Sequence, residues 1–169
     1  MEWHYTVAAQ TDAGTVKPVN QDSLAVKVAN TNYGEAAFAV LCDGMGGLEQ
    51  GEVASTVVVR AYEQWFLREF PYFLAKGFSE SALERIWHQM ANACNTRIMD
   101  YGKGYGTTMG TTLTAMLLLD GRYYISHIGD CRVYVMGNGM EQLTADQTYV
   151  AREVALGHMT PEQAENDAR

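Results

Sequence analysis

The sequence predicts an α+β fold in which antiparallel sheet is flanked by helices. Three observations carry this. Short apolar or alternating segments, read as strands, lie near residues 5–41 and again at 111–143. Two long stretches with helical spacing stand side by side between them, over 51–70 and 79–104. The strand groups are joined by hairpin signals, of which Asp120-Gly121 is the strongest. Strands, then two consecutive helices, then hairpins is not the alternating βαβ order of a parallel sheet.

The bulk composition narrows the class. The chain has 169 residues, enough for one domain with a real core. Hydrophobic residues make up 47% and charged ones 19%, a globular balance. A net charge of −8 argues against a nucleic-acid partner, which needs a basic face. The three cysteines, Cys42, Cys94 and Cys131, show no paired spacing and read as reduced, mostly buried thiols. The N-terminus has no basic region before an apolar stretch, so no signal peptide is evident. The longest apolar run, 115–119, is far below the roughly 20 residues of a membrane span. The expectation is a cytoplasmic protein without a membrane partner.

Residues 5–11 alternate weakly and read as a first strand. Gly14 and Pro18 then mark a loop that carries Lys17, Asn20, Gln21 and Asp22. A second strand over 23–29 turns at 30–34 into a third over 35–41. Gly51-Glu52 opens a helix to about residue 70, with Val53, Val57, Ala61 and Trp65 near one face and Pro71 just beyond its end. Ser79 is a candidate N-cap for the second helix, whose stripe is Ala82, Leu83, Ile86, Met90, Ala93 and Ile98. Trp87 reads as core or interface. A polar stretch over 104–110 leads to a buried strand over 111–119, its partner over 122–128, a corner at Gly129-Asp130-Cys131, and short strands over 132–136 and 140–143. The remainder reads as polar and helical, over 147–155 and again from Thr160-Pro161-Glu162, with a break at Gly157.

The chemistry-bearing stretch is Leu41-Cys42-Asp43-Gly44-Met45-Gly46-Gly47. A carboxylate at the end of a core strand sits on a stiff scaffold. The glycines after it let the backbone approach whatever the acid binds. Such a loop suits a hard divalent cation, which takes carboxylate and carbonyl oxygens. Read on its residues alone, it is equally a Gly-rich strand-to-helix turn. The same holds elsewhere: Asp130 alone reads also as a turn carboxylate, and Asp22 and Lys17 as solvated charges.

Five ordered blocks give more. Thr11-Asp12-x-Gly14 with Asn20-Gln21-Asp22, Asp43-Gly44-Met45-Gly46-Gly47 with Gly51-Glu52-x-Ala54-Ser55, Met109-Gly110-Thr111-Thr112, Gly129-Asp130-Cys131-Arg132, and Leu143-Thr144-x-Asp146-Gln147 together resemble the bacterial PPM, or type 2C, protein serine/threonine phosphatases. The resemblance covers essentially the whole chain. It implies an αββα sandwich of antiparallel sheets and hydrolysis of phosphoserine and phosphothreonine at a pair of Mn²⁺ or Mg²⁺ ions. By the same resemblance Asp43 bridges both metals and Gly44 lends a backbone carbonyl. Asp22 orders metal-associated water, and Asp130 lies near a third, weaker metal position. The implied partners are phosphorylated proteins and a serine/threonine kinase system.

Two departures qualify the resemblance. Lys17 stands where the family usually carries an arginine that grips the substrate phosphate. Lysine offers a mobile point charge in place of a planar fork, so a looser grip is expected. In addition, two later metal-binding aspartates of the family match nothing after Thr144; Asp146 belongs to another block and Asp167 to the polar tail. The expectation is therefore a shortened domain lacking the last strands and metal loops, binding one metal or binding weakly. It follows that the chain is either a phosphatase or a phosphoprotein- or kinase-binding module with little turnover. An uncovered sheet edge also allows self-association.

Overall fold

A computed structural model describes residues 3–15, 17–46 and 50–165; Gly47 and Asp167 of the sequence reading lie outside them. The elements are β1 (Asp22–Thr31), β2 (Gly34–Gly46), α1 (Gly51–Arg68), α2 (Phe70–Ala75), α3 (Glu80–Tyr105), β3 (Met109–Thr111), β4 (Leu113–Leu119), β5 (Arg122–Ile128), β6 (Tyr134–Met136), β7 (Met140–Gln142), α4 (Tyr149–Ala155) and α5 (Pro161–Glu165). The order matches the α+β expectation: hairpin, helices, hairpins.

The main sheet is antiparallel in the order β1-β2-β4-β5, with β3 also paired to β2; β6 and β7 form a separate two-stranded sheet. Asp120 and Gly121 close the β4–β5 hairpin with φ of 50° and 70°. Positive φ at both central residues is the type I′ geometry whose twist matches the strands. Along β2 the ladder to β3 (Gly44↔Thr111) and the ladder to β4 (Leu41↔Thr114) share one register, interrupted at Cys42 and Asp43 opposite Leu113 and Thr112.

Alternation along the strands sends one set of side chains into the core. Phe38, Val40 and Cys42 of β2 lie with Leu113, Ala115, Leu117 and Leu119 of β4 against Tyr62 and Trp65 of α1 and Leu83 and Trp87 of α3. Phe38 stacks on Phe66 at 5.0 Å between ring centroids and meets Trp65 edge-on at 6.0 Å. Trp87 is 4% exposed, which settles it as core. Each such large apolar side chain contributes about 1.5–3 kcal/mol on burial. Ser79 caps α3 by accepting the Ala82 N–H, and Gly106 ends it in the left-handed region. Thr160 and Gln163 exchange side-chain bonds to each other's N–H, a capping box that starts α5. No helix among the described residues is long and apolar enough to cross a membrane.

Three expectations are corrected and one is extended. Residues 5–11 form no strand; the Tyr5 N–H bonds the Glu35 carboxylate instead of a ladder partner. Alternation assigns faces, but a strand also needs a neighbour to pair with. The Asp43 stretch is not a loop: β2 runs through Asp43 to Gly46, because β1 and then β3 pair with it there. Pro71 lies beyond the end of α1 as expected, but the chain goes on there as the short helix α2, with Pro71 in its first turn, where its missing N–H costs nothing. On α3 the buried face runs through Leu83, Trp87, Cys94 and Ile98, while Ala93 is exposed, because the aromatic cluster rather than the apolar count sets which face is covered.

Candidate metal centre

Asp22 begins β1 and lies directly opposite Asp43 on β2. The adjacent pair is hydrogen-bonded, Gly44 N–H to Gln21 O at 3.2 Å. Asp22 and Asp43 therefore occupy a non-hydrogen-bonded position, where side chains of antiparallel strands come closest. Like charges opposed in this way repel. The Asp43 carboxyl is accordingly held above the usual carboxylate range, first by burial and then by Asp22. Lys17 opposes that rise and Asp130 adds a little to it. The structure thus brings Lys17, Asp22, Asp43 and Asp130 into one electrostatic neighbourhood. A cleft of about 320 Å³ opens there, lined by Asp12, Gly14, Lys17, Asn20, Asp22 and Asp43.

The loop before β1 is held by its own polar side chains. Asn20 accepts the Asp22 N–H at 3.0 Å and donates to Thr11 Oγ1 at 2.7 Å. Asp12 accepts the Gly14 N–H at 2.7 Å, an Asx turn that shapes the cleft wall. Gln21 O also accepts the Ser55 hydroxyl at 2.6 Å, which ties the first turns of α1 to the loop. Gly44 is buried where β2 meets α1. A Cβ there would lie 2.2 Å from Gly51 O and 2.5 Å from Gln21 O. The Gly44 carbonyl lies against Gly51, at whose position a Cβ would stand 2.9 Å from that oxygen. Only glycine at both positions allows this approach.

Asp130 is exposed, after a Gly129 whose φ is 110°. Gln147 N–H donates to Gly129 O at 2.7 Å and closes this corner. Arg132 grips Asp146 with two bonds, 2.8 and 2.6 Å, which hold the Asp146 carboxyl below its usual range. That pair ties the corner to the segment that follows β7. The thiols are free as expected: Cys42 and Cys94 buried, Cys131 half-buried.

Sequence reading placed the acids but not the residues that hold them. Asn20, Ser55, Thr111 and Thr112 all stand inside the five blocks, yet their roles as hydrogen-bonding supports appear only with partners in space. The candidate oxygen groups are the facing Asp22 and Asp43 carboxylates, with Asp130 at the margin. Among the described residues no group of three or more His, Cys, Asp or Glu converges as a complete metal cage. The all-oxygen character and the mutual repulsion of Asp22 and Asp43 nevertheless fit a hard divalent cation, which would relieve that repulsion.

An antiparallel sheet backed by helices, with opposed aspartates at its end, defines an α+β protein with an acidic, oxygen-lined cleft. The family model for protein phosphatase 2C matches residues 11–169, and the chain belongs to that family. It is 35% identical over 158 residues to the serine/threonine protein phosphatase PstP of Mycobacterium tuberculosis, covering 93% of this chain and 28% of that protein. To the serine/threonine phosphatase stp of Listeria innocua it is 30% identical, covering 95% of this chain and 62% of that protein. Among solved structures, Stp1 from Staphylococcus aureus superposes with a TM-score of 0.76 at 30% identity, covering 96% of this chain and 62% of that one. The PstP catalytic domain, solved in complex with two manganese ions, gives a TM-score of 0.70 at 33% identity, covering 93% and 62%. The chain therefore spans less than two thirds of the length of these relatives.

Proposed function

We propose that this chain performs, or supplies the first half of the site for, metal-dependent hydrolysis of phosphoserine and phosphothreonine on proteins. The observation that carries the reading is the Asp22–Asp43 pair, opposed at the closest type of cross-strand position and fronted by Lys17 across a polar cleft. Relatives named as serine/threonine phosphatases, one of them solved with manganese, support it.

Asp43 and the Gly44 carbonyl would hold Mn²⁺ or Mg²⁺, with Asp130 near a further, weaker position. When bound, such a cation supplies Lewis-acid activation of water and neutralises charge developing at phosphorus. Asp22 orients the attacking water by accepting its hydrogen bond. Lys17, held within reach of Gln21 at 3.4 Å, attracts the substrate phosphate as a point charge. No side-chain nucleophile is required. Two carboxylates and a carbonyl are a sparse ligand set, so within these 169 residues one site of modest affinity is expected.

The substrates would be phosphoproteins made by a serine/threonine kinase, met in the cytoplasm, with no nucleic acid or membrane involved. The second reading is a phosphoprotein- or kinase-binding module. Calorimetry with Mn²⁺ and hydrolysis of a phosphothreonine peptide separate the two. Metal-dependent turnover lost in Asp43→Asn supports the enzyme. Peptide binding without turnover at any Mn²⁺ concentration supports the module. Metal binding that survives Asp43→Asn unchanged would remove the basis of both.

A further inference from the structure

The main chain of Asp43 is held in an unusual way. Asp43 stands opposite Thr112 in the register that β2 shares with β3 and β4. In an unbroken antiparallel ladder, opposed residues of this type exchange two backbone bonds. Here Thr112 N–H does donate to Asp43 O at 3.0 Å. The Asp43 N–H, however, donates to the Thr112 side-chain hydroxyl at 2.8 Å instead of to its carbonyl. Thr111 Oγ1 adds a second bond to Asp43 O at 3.0 Å. The hydroxyl of Thr112 is itself engaged from behind by Cys131 Sγ at 3.2 Å. Its methyl lies beside Gly129, where an added Cβ would stand 2.6 Å from Thr112 Cγ2. Thr112 is 3% exposed, so this hydroxyl is shielded from bulk solvent.

We propose that Thr112, backed by Cys131 and Gly129, is a positioning residue that fixes the backbone of Asp43 so that its carboxylate faces Asp22 and a cation between them. The inference rests on the metal reading above and adds to it the part of the chain that sets the carboxylate's direction. A side chain in place of a ladder carbonyl frees the sheet at one point, which is where Asp43 must turn its oxygens toward the cleft. The same contacts assign Cys131 a supporting role.

The test uses Thr112→Val, which keeps the shape and removes the hydroxyl, and Thr112→Ser, which restores it. The control is Thr114→Val, a buried threonine on β4 whose hydroxyl bonds His127 and not Asp43. Two quantities are read: amide hydrogen exchange at Asp43 in metal-free protein, and Mn²⁺ affinity by calorimetry. Thr112→Val is expected to speed Asp43 exchange at least tenfold and weaken Mn²⁺ binding at least tenfold. Thr112→Ser should stay within about threefold of the parent on both, and Thr114→Val should leave Mn²⁺ binding unchanged. Unchanged Asp43 exchange in Thr112→Val overturns the proposal, and so does faster exchange with undiminished Mn²⁺ affinity. If Thr112→Val does not fold, Cys131→Ala reads the same contact, with a threefold or greater loss on both measures expected and no loss overturning it. Asp43→Asn run alongside distinguishes the two levels. Retained Mn²⁺ binding there sinks the metal reading, whereas lost binding there with intact Thr112→Val sinks only the positioning role.

Discussion

At the scale of single residues, the site is a place where stability is set against chemistry. Asp43 lies partly buried and opposite another acid, so without a cation its charge opposes folding. Asp43→Asn should therefore raise the stability of metal-free protein by roughly 0.2–1 kcal/mol, the size of a cross-strand charge pair, while removing metal binding. Thermal melts in chelator, with and without Mn²⁺, check both halves. Cys42, one residue earlier, faces the core, and burial pushes its thiol up to about 12. The folded chain keeps this proton where the unfolded chain, near 9, releases it. The contribution is full below about pH 9 and is lost as pH rises toward 12. About 2 kcal/mol should be gone by about pH 10.5 from this group alone. Urea unfolding at pH 8 and 10.5 measures the drop, and Cys42→Ala should flatten it.

At the scale of elements, the cleft depends on how α1 and α3 are fixed to the sheet. The N-terminus of α1 sits on Gly44 so closely that no Cβ fits between them. Gly44→Ala should push α1 off β2 and cost about 1–3 kcal/mol, the usual range for overpacking. Chemical denaturation reads the loss, and weaker Mn²⁺ binding should accompany it. Helix α3 carries Leu83 and Trp87 into the aromatic cluster and is started by Ser79. Ser79→Ala should cost about 1 kcal/mol in thermal unfolding and leave Mn²⁺ affinity unchanged, since the cap lies outside the acidic cleft. These elements were legible in the sequence for different reasons. The cap, the Asp120-Gly121 hairpin and the α3 period are local signals, each written within a few residues. The extension of β2 through Asp43-Gly44-Met45-Gly46 was not, because glycines signal a turn locally and only β1 and β3 alongside hold them extended. The strand expected over 5–11 failed for the converse reason: its pattern was present and its neighbour was not.

At the scale of the whole molecule, β1 and β5 are the outer strands of the main sheet. The sheet face turned from the helices leaves Val28 and Leu41 exposed at 42% and 41%. Open strand edges and apolar surface favour pairing between copies, while a net charge of −8 opposes it. Self-association should therefore grow with protein concentration and with salt, which screens the repulsion. Light scattering after size exclusion, at low and high ionic strength, tests this; a monomer at every concentration and salt would remove it. The acidic balance also bears on the cleft, since it draws cations toward it and leaves Lys17 as the positive group on the cleft's lining.

The sequence by itself determined the block of two long helices between antiparallel strands and the family, and it offered Lys17, Asp22, Asp43 and Asp130 as candidates for one site. It could do so because periodicity, turn residues and ordered motif blocks are properties of the chain. Only the tertiary structure decided that Asp22 and Asp43 face each other at a non-hydrogen-bonded position, and that the Thr112 hydroxyl replaces a ladder bond behind them. Those facts depend on strand register, which sets which residues meet across a sheet and is fixed by the core as a whole.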